Sequence, residues 1–403
     1  MDYIYLVLIF AVIMILMHFK RPFYEAVAGG LLLSVFLYRI PPAEILKATA
    51  SLFTNKTNLY MILSMYFVMY LQQIMYRRDL INKSVDDLNG VIANRRINTA
   101  LAPTMVGMLP SSTSSYICAS IIKRQTDGYL DADTQAAMTS WFKHAPESFI
   151  PTYANTILFA GLAGISMSSF TAASLPMFFL QIFIMYVFYL RKIPKEPVSR
   201  SDRGKAESLK GLLLHMLPII GTVFIIIAFN LHVVFATPIM IAVCLLVFGF
   251  KPADIPSMAK DAFQIKQLLN TALVLLLKEF ISYSGIMSVS GAGSSITKLP
   301  IPLFLAIGLI YMAGGFTGFV TGVVAMITPI AFSVLPQAGL PLMLLYMCMQ
   351  HAASLLSPVH ICLVFAAEAC GSNMAGLLKK TFLPCMAYIA GGFIWYFILS
   401  ALI

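Results

Sequence analysis

Long apolar runs separated by short polar segments make up most of the chain. A helix needs about twenty apolar residues to cross a bilayer, and ten runs come close enough to that length to be predicted as spans. These runs cover residues 3–19, 23–39, 57–77, 135–165, 170–191, 210–229, 233–249, 268–284, 341–367 and 380–402. The pattern therefore predicts an all-α polytopic membrane protein with about ten transmembrane helices.

Four other segments are less regular. Residues 97–122 and 299–335 are apolar but carry small and polar residues near their middles, and we expect each to form a re-entrant hairpin. Residues 42–56 and 252–266 begin at prolines and mix charged with apolar residues. They are typical of amphipathic helices on the membrane surface, although plain connecting loops also fit.

Composition supports a lipid environment. The 403 residues are 59% hydrophobic and 11% charged, whereas soluble domains are about 25% charged. The formal net charge is +10, but the basic residues are spread over the loops. A nucleic-acid binder would instead carry a continuous basic and aromatic groove, so we expect no nucleic-acid partner.

The positive charges also predict an orientation. If the predicted spans and hairpins are correct, 21 Lys and Arg residues lie on the side that follows the first span and only 4 on the other side. Positive loops stay in the cytoplasm. We therefore expect a multi-pass protein of the cell membrane, inner or plasma, with cytoplasmic basic loops and both termini outside.

The two halves of the chain resemble one another at matched positions. Ile40-Pro41 and Phe250-Lys251 open similar segments 210 residues apart, and His144-Ala145 recurs as His351-Ala352 after 207 residues. Five spans per half is an odd number, so the second half would enter from the opposite side, as in many secondary transporters. We predict a first repeat at 1–191, a basic cytoplasmic linker at 192–209 and a second repeat at 210–403.

The predicted hairpin tips are unusually polar or glycine-rich. In the first tip, Pro110 breaks the helix and hydroxyl residues follow it, so the freed backbone groups and a helix N-terminus would face a cavity and favour an anion. Helix packing through small residues is the alternative for both tips. The candidate ligands are Ser111, Ser112, Thr113 and Ser114 in the first tip, and Gly315, Thr317, Gly318 and Thr321 in the second.

Ionisable residues interrupt the fourth span. His144 and Glu147 are three residues apart, so one helical face could present both, and such groups in a bilayer usually face a cavity or a partner. Pro151 predicts a helix break, with Thr152 and Asn155 beyond it. Glu147 is a candidate acceptor for a coupling proton, although the stretch would also fit the cytoplasmic headgroup level.

The ninth span repeats this arrangement with Pro358 as its predicted helix break. Ser357 and His360 flank that proline and are candidate ligands, while His351 precedes it. In the eighth span, Lys278 and Glu279 are neighbours and could form a self-neutralising pair. Neighbours point apart on a helix, however, so each is expected to have a further partner. We group Lys278, Glu279 and His351 as a candidate charge relay.

Sequence motifs for chemistry are absent. The six cysteines form no CxxC pair, so the sequence predicts neither a metal site nor a disulfide framework. It contains no HExxH, GxSxG or Walker motif. We therefore expect no enzymatic activity and no cofactor other than a coupling H⁺ or Na⁺.

These motifs resemble a known family. Phe142-Lys143-His144 with Glu147 and Pro151, Lys278-Glu279, and Ser357-Pro358-Val359-His360 look like the domain-of-unknown-function family numbered 401. That family is similar to the ion transporter superfamily, which includes gluconate permeases, citrate carriers and arsenite transporters. The resemblance extends over nearly the whole chain.

The resemblance implies two inverted repeats, each with a re-entrant hairpin and a broken helix, and alternating access to a solute held between them. In the dicarboxylate and citrate carriers each tip holds a Ser-Asn-Thr motif. Here the tips read Ser111-Ser112-Thr113 and Thr317-Gly318-Phe319. Because both lack the Asn, sodium coupling and a dicarboxylate substrate do not follow, and gluconate-like anions or another small solute remain open.

The leading hypothesis is a secondary active transporter of a small, anionic organic solute, coupled to H⁺ or Na⁺. The alternatives are an ion or solute channel, which would need a continuous polar path, and an integral membrane enzyme that uses His144 and Glu147. The expected partners are the solute and the lipid bilayer, and a homodimer remains open.

Overall fold

The computed structural model describes residues 2–19, 21–108, 114–197, 204–283, 303–318, 320–335 and 339–403. Within these ranges the regular structure is entirely helical, which confirms the predicted all-α class. The helices of the first half are α1 (Asp2–His18), α2 (Phe23–Leu37), α3 (Pro42–Thr54), α4 (Lys56–Arg77), α5 (Leu80–Val91), α6 (Arg95–Gly107), α7 (Ser114–Thr126), α8 (Ala132–His144), α9 (Ala154–Ala163) and α10 (Met167–Phe188).

The described residues of the second half also form helices. Its helices are α11 (Lys205–His215), α12 (Leu217–Phe229), α13 (Val233–Val247), α14 (Asp254–Ala262), α15 (Ile265–Tyr283), α16 (Leu303–Thr317), α17 (Val320–Val334), α18 (Gly339–Ser354), α19 (Ile361–Cys370) and α20 (Met374–Leu402). Short 3₁₀ helices occupy Ala145–Ser148 and Leu190–Lys192.

Polar caps fix where several helices begin. The Asn55 side chain accepts hydrogen bonds from the backbone N–H groups at the start of α4, and Asn94 does the same for α6. Asp131 accepts from Thr134 N at 2.7 Å at the start of α8, and Asn373 accepts from Gly376 N at 2.9 Å in α20. Each cap satisfies N–H groups that have no partner within the helix.

Three predicted spans are interrupted in the structure. The span at 135–165 is two helices, α8 and α9, and the span at 341–367 is likewise divided into α18 and α19. The span at 210–229 consists of α11 and α12, which meet at an angle of 65°. Prolines explain these breaks, namely Pro146 and Pro151, Pro358, and Pro218, because each lacks an N–H and its ring clashes with the preceding turn.

Several helices have the length and composition of membrane spans. Three of the described helices qualify alone, namely α4, α10 and α20, and the bent pair of α11 and α12 would make a fourth. Seven shorter helical stretches are apolar. Large apolar side chains also point outward, with Leu246 83% exposed, Phe36 79% and Ile394 63%. Such a surface suits lipid rather than water, so the chain is a membrane protein.

The two segments predicted to lie on the membrane surface are helical, and one further helix was not predicted. Residues 42–56 contain α3 and residues 252–266 contain α14, which supports the helical alternative for both. Helix α5 lies between the third predicted span and the first hairpin and packs against α11. His215 Nδ1 of α11 and Asp87 Oδ2 of α5 are 2.6 Å apart, so this contact attaches the end of α11 to α5.

The two halves pack against one another through several helix pairs. Helix α4 packs on α13, and α2 packs on α15. Helices α6 and α7 pack together, as do α16 and α17, so both predicted hairpins consist of paired helices. Helix α7 contacts α19, and α9 contacts α17. The hairpin of each half therefore lies against the broken helix of the other half.

Candidate functional site

A cavity of about 590 Å³ lies where the two broken helices approach each other. Its walls come from α4, the break between α8 and α9, the start of α15, the turn between α16 and α17, α18, and the break between α18 and α19. Both halves of the chain therefore contribute to one chamber. A volume in this range is that of a small-molecule site.

The first break places polar groups at the cavity wall. Helix α8 ends at His144, the 3₁₀ turn carries Glu147, and α9 starts at Ala154. The Tyr153 hydroxyl donates to the carbonyl of Gly107 at the end of α6, which attaches the break to the first hairpin. Non-helical backbone at membrane depth is tolerated where it lines a cavity or is buried in protein.

The second break is held in a similar way. Helix α18 ends at Ser354 and α19 begins at Ile361. The Ser357 hydroxyl donates to the carbonyl of Phe316 in α16 at 2.6 Å. Across the cavity, the Thr321 hydroxyl donates to Asn155 Oδ1 at 2.7 Å, so the second hairpin is bonded to the first break.

Glycines let both hairpins approach the broken helices closely. A Cβ on Gly107 would collide with the carbonyl of Lys143, and one on Gly315 would collide with the carbonyl of Gln350. Lys143 and Gln350 are 207 residues apart, which is the spacing of the matched motifs. Only a residue without a side chain allows this backbone approach.

Lys143 provides a buried positive charge at the cavity wall. The side chain is 5% exposed and lines the cavity. Its Nζ lies 3.3 Å from Cys362 Sγ and 3.5 Å from His144 Nε2, so it reaches from the first break to the second. An ammonium in this position is costly unless it faces a counter-charge or a solute. Glu147 also lines the cavity and interacts electrostatically with Lys143 and His360.

Histidines from both halves meet beside this lysine. The rings of His144 and His360 are 4.8 Å apart between centroids. The ligand atoms of His144, His360 and Cys362 all lie within 4.8 Å of one another, so these three residues could together hold a metal ion. His351 Nε2 is buried without a hydrogen-bond partner in the described part of the chain, and His351 lines the cavity.

Two helix N-termini also point their first residues at the cavity. Ala154, Asn155 and Thr156 of α9 line it, as do Ile361 and Cys362 of α19. Neither helix has a hydrogen bond from a side-chain cap. The positive ends of both helix dipoles therefore add to the charge of Lys143, and together they favour an anion.

The structure brings most of the sequence-predicted residues together. The cavity wall includes Glu147, Thr152, Asn155, Gly315, Gly318, Thr321, His351 and His360, while His144 lies beside Lys143. Ser357 and Thr317 are nearby but make hydrogen bonds to backbone carbonyls. Ser114 is buried at the start of α7, and Pro151 and Pro358 lie in the breaks. Pro110, Ser111, Ser112 and Thr113 lie outside the described residues.

Lys278 and Glu279 lie outside this cavity wall. They bond to each other at 3.0 Å, and Glu279 also accepts from Asn58 Nδ2 at 3.3 Å. The predicted further partner of Glu279 is thus Asn58 of α4. Lys278 borders a second cavity of about 340 Å³. In this conformation the proposed relay is divided, because of its three members only His351 lines the main cavity.

Sequence reasoning missed several residues of the wall. Gln72, Gln264, Gln267 and Gln350 supply amides, and Cys362 supplies a thiol. Gln350 could have been found from the repeat, since it occupies the position that matches Lys143. Cys362 gave no signal because its neighbours in the cluster, His144 and Lys143, are more than 200 residues away in sequence.

Comparison with known proteins gives the family and the fold. A family model described as "Protein of unknown function (DUF401)" matches residues 3–399. The chain belongs to this family. None of the curated protein sequences matches it. The fold of this family member is similar to the crystal structure of the YdaH transporter from Alcanivorax borkumensis, described as having an unusual topology, with a TM-score of 0.60 and 12% identity over 88% of this chain and 86% of that one. At that identity, the likeness extends to the fold alone.

Proposed function

We propose that this chain is a secondary active transporter of the cell membrane that moves a small organic anion by alternating access. The observation that carries the proposal is Lys143, whose buried ammonium faces a cavity shared by both broken helices. A buried charge at membrane depth marks a solute or ion pathway. The helix N-termini at Ala154 and Ile361 give that pathway its preference for negative charge.

An inverted repeat supports this proposal. Helices α9 and α19 have ten residues each, start 207 residues apart and end in the left-handed glycines Gly164 and Gly371. Arg39 and Gly249, 210 residues apart, are also both left-handed. If the repeats are 1–191 and 210–403, joined by the linker 192–209, the contact of α4 with α13 is the counterpart of that between α15 and α2.

Helix lengths support re-entrant hairpins. Helices α6 and α7 contain 13 residues each, and at 1.5 Å per residue each is roughly 20 Å long. The hydrocarbon core is about 30 Å thick, so neither helix reaches across alone. We infer that both hairpins enter and leave on one side, with the basic loops in the cytoplasm and both termini outside. This topology retains the charge asymmetry of the sequence.

The fold of the YdaH transporter is a further support, at the level of analogy, since a fold can host several functions. The proposed relation to gluconate permeases, citrate carriers and arsenite transporters rests on the sequence motifs. In such folds the solute is held near the membrane midplane by discontinuous helices, and the two breaks here border one cavity.

We assign the coupling cation, H⁺ or Na⁺, to the region of Glu147. Glu147 lines the cavity together with Thr152 and Asn155, whose side chains also carry oxygen atoms. A cation bound there would offset the negative charge of Glu147 while the solute neutralises Lys143. Solute and cation would then favour each other, which is the requirement for symport.

Binding of small organic anions tests the proposal. The purified protein in detergent would be melted with gluconate, citrate and related anions, with and without Na⁺ and at two pH values. A ligand of the folded state raises its melting temperature. We expect one anion class to stabilise the protein and Na⁺ or pH to change the effect. The same anion should then accumulate in proteoliposomes when the corresponding gradient is imposed.

Lys143→Met provides the decisive variant, with Lys260→Met as its control. Met keeps the volume of the side chain and removes the charge, so anion affinity should fall by at least about tenfold. Lys260 is exposed on α14, away from the cavity, and its substitution should leave affinity unchanged. If Lys143→Met bound the anion as tightly as the wild type, the assignment of the site would be wrong.

A further inference from the structure

The cluster beside Lys143 contains a set of donors that the anion proposal does not use. His144 and His360 each offer one imidazole nitrogen and Cys362 offers its Sγ, and these three ligand atoms lie within 4.8 Å of one another. His144 comes from the first broken helix, while His360 and Cys362 flank the start of α19 in the second. The cluster therefore bridges the two halves at the cavity wall.

Hydrogen bonds orient both imidazoles for metal binding. His144 Nδ1 lies 2.6 Å from the carbonyl oxygen of Ser140, and His360 Nδ1 lies 3.2 Å from that of Ser354. A carbonyl only accepts, so Nδ1 carries the proton in each ring and Nε2 keeps its lone pair. Backbone carbonyls anchor metal-binding histidines in this way and fix the tautomer.

We propose that His144, His360 and Cys362 form a binding site for a late first-row transition-metal cation such as Zn²⁺ or Co²⁺. Two imidazole nitrogens and one thiolate sulfur suit these borderline metals, whereas Mg²⁺ and Ca²⁺ prefer oxygen. Three protein ligands leave a fourth position open. Since His360 and Cys362 also line the cavity, that position would be accessible to water or a solute.

The geometry requires only a small contraction. Bond lengths of about 2.0–2.1 Å to nitrogen and about 2.3 Å to sulfur place tetrahedral ligands roughly 3.3–3.6 Å apart. The separations here extend to 4.8 Å, so side-chain movements of about 1 Å suffice at rotatable positions. His360 lies in the break that precedes α19, where no continuous helix restrains it, and Cys362 is the second residue of that helix.

The ammonium of Lys143 repels a metal ion bound to this cluster. Its Nζ is 3.3 Å from Cys362 Sγ and 3.5 Å from His144 Nε2, so a metal ion must displace this ammonium or bind beside it. Like charges at this range repel strongly at low dielectric. Removing the charge should therefore strengthen metal binding, whereas it should weaken anion binding.

Co²⁺ titration of the purified full-length protein tests the site, because a thiolate bound to Co²⁺ gives a charge-transfer band in the near ultraviolet. We expect one Co²⁺ per chain with that band, and displacement by Zn²⁺. Cys362→Ser should abolish the band. It should also weaken Co²⁺ binding by at least about 10- to 100-fold, which is the cost of removing a residue that only hydrogen-bonds to a metal ligand. Cys385→Ser is the matched control, since Cys385 is a buried thiol bonded to Ala352 and should leave the band intact.

The Lys143→Met variant separates this inference from the transport proposal. Tighter Co²⁺ binding together with weaker anion binding would support both. A wild type that lacks the band, or a band that persists in Cys362→Ser, would overturn the metal site. The Co²⁺ band of the wild type and that of Cys362→Ser are both measured without transport. Failure of anion uptake with an intact Co²⁺ band would therefore refute only the proposed transport function. Elution of each variant as a single peak in size-exclusion chromatography verifies that it is folded.

Discussion

At the scale of single residues, Gly315 makes the sharpest prediction. A Cβ there would collide with the Gln350 carbonyl and lie 3.0 Å from Ala353 Cβ. Gly315→Ser should therefore push α16 away from α18 and lower the free energy of unfolding by about 1–3 kcal/mol, the usual cost of overpacking. Thermal unfolding in detergent measures this loss.

Gly204→Ser is the matched control for that substitution. No atom lies within 4 Å of a Cβ at Gly204, which precedes α11, and serine is favoured before a helix. Its unfolding free energy should change by less than about 0.5 kcal/mol. Equal melting temperatures for Gly315→Ser and the wild type would mean that the second hairpin does not pack on α18 as described.

Sequence predicted those site residues whose chemistry conflicts with an apolar run. His144, Glu147 and His360 stand out because ionisable groups are rare in a bilayer, and all three lie at or beside the cavity. Cys362 and Gln350 did not stand out in the sequence, because a thiol or an amide among apolar residues is common in packed helices. Their roles depend on which helices meet, and sequence periodicity does not specify that.

At the scale of helices, one ion pair holds the start of α8 to α20. Lys380 Nζ lies 2.8 Å from Asp131 Oδ2. The pKa of the Asp131 carboxyl is lowered overall, because although partial burial raises it, the hydrogen bonds from Lys380 and Thr134 lower it more. The pair is 31% and 59% exposed, so solvent screening limits its contribution to at most about 1 kcal/mol.

Lys380→Met should therefore be mildly destabilising and should change the pH response. A carboxyl whose pKa is depressed on folding adds stability above its unfolded pKa of about 3.9, and this stability is lost as pH falls through the folded pKa. We expect the deficit of the variant at pH 7 to shrink as pH falls below about 4. Lys379→Met, which alters an exposed neighbour, should show no deficit. A deficit that is constant with pH would mean that Lys380 acts through packing alone.

The helix breaks were the elements best predicted from sequence. Pro151 and Pro358 lie in the two breaks, as expected because proline lacks the backbone N–H that a continuous helix needs. The bend at Pro218 and helix α5 were not predicted. Pro218 lies at the start of α12, where proline is compatible with a helix, so sequence alone does not distinguish a start from a bend. Helix α5 mixes charged with apolar residues and lies outside every predicted span and hairpin.

At the scale of the molecule, the helices that follow the two breaks have the same length and end in left-handed glycines, but the breaks differ in charge. With the spacing of 207 residues, Lys143 corresponds to Gln350 and Glu147 corresponds to Ser354, so at these matched positions only the first break carries a basic and an acidic residue. Asn155 corresponds to Cys362 in the same way. A shared architecture with unequal chemistry suggests that one break is specialised for charge and the other for positioning. Alternating access would then require the second hairpin to move relative to the first break.

The hydrogen bond between Thr321 and Asn155, 2.7 Å long, offers a way to block that movement. The double variant Asn155→Cys with Thr321→Cys should form a disulfide under mild oxidation, because the two side chains already meet across the halves. If transport requires the hairpin to separate from the break, oxidised protein in liposomes should lose most of its anion uptake, and reduction should return uptake to the level of the same variant before oxidation. Each single variant under the same oxidant controls for the native thiols, which are all buried. If the oxidised, cross-linked double variant takes up the anion as fast as the same variant after reduction, this contact stays closed throughout the cycle. The moving boundary would then have to lie elsewhere, between α7 and α19.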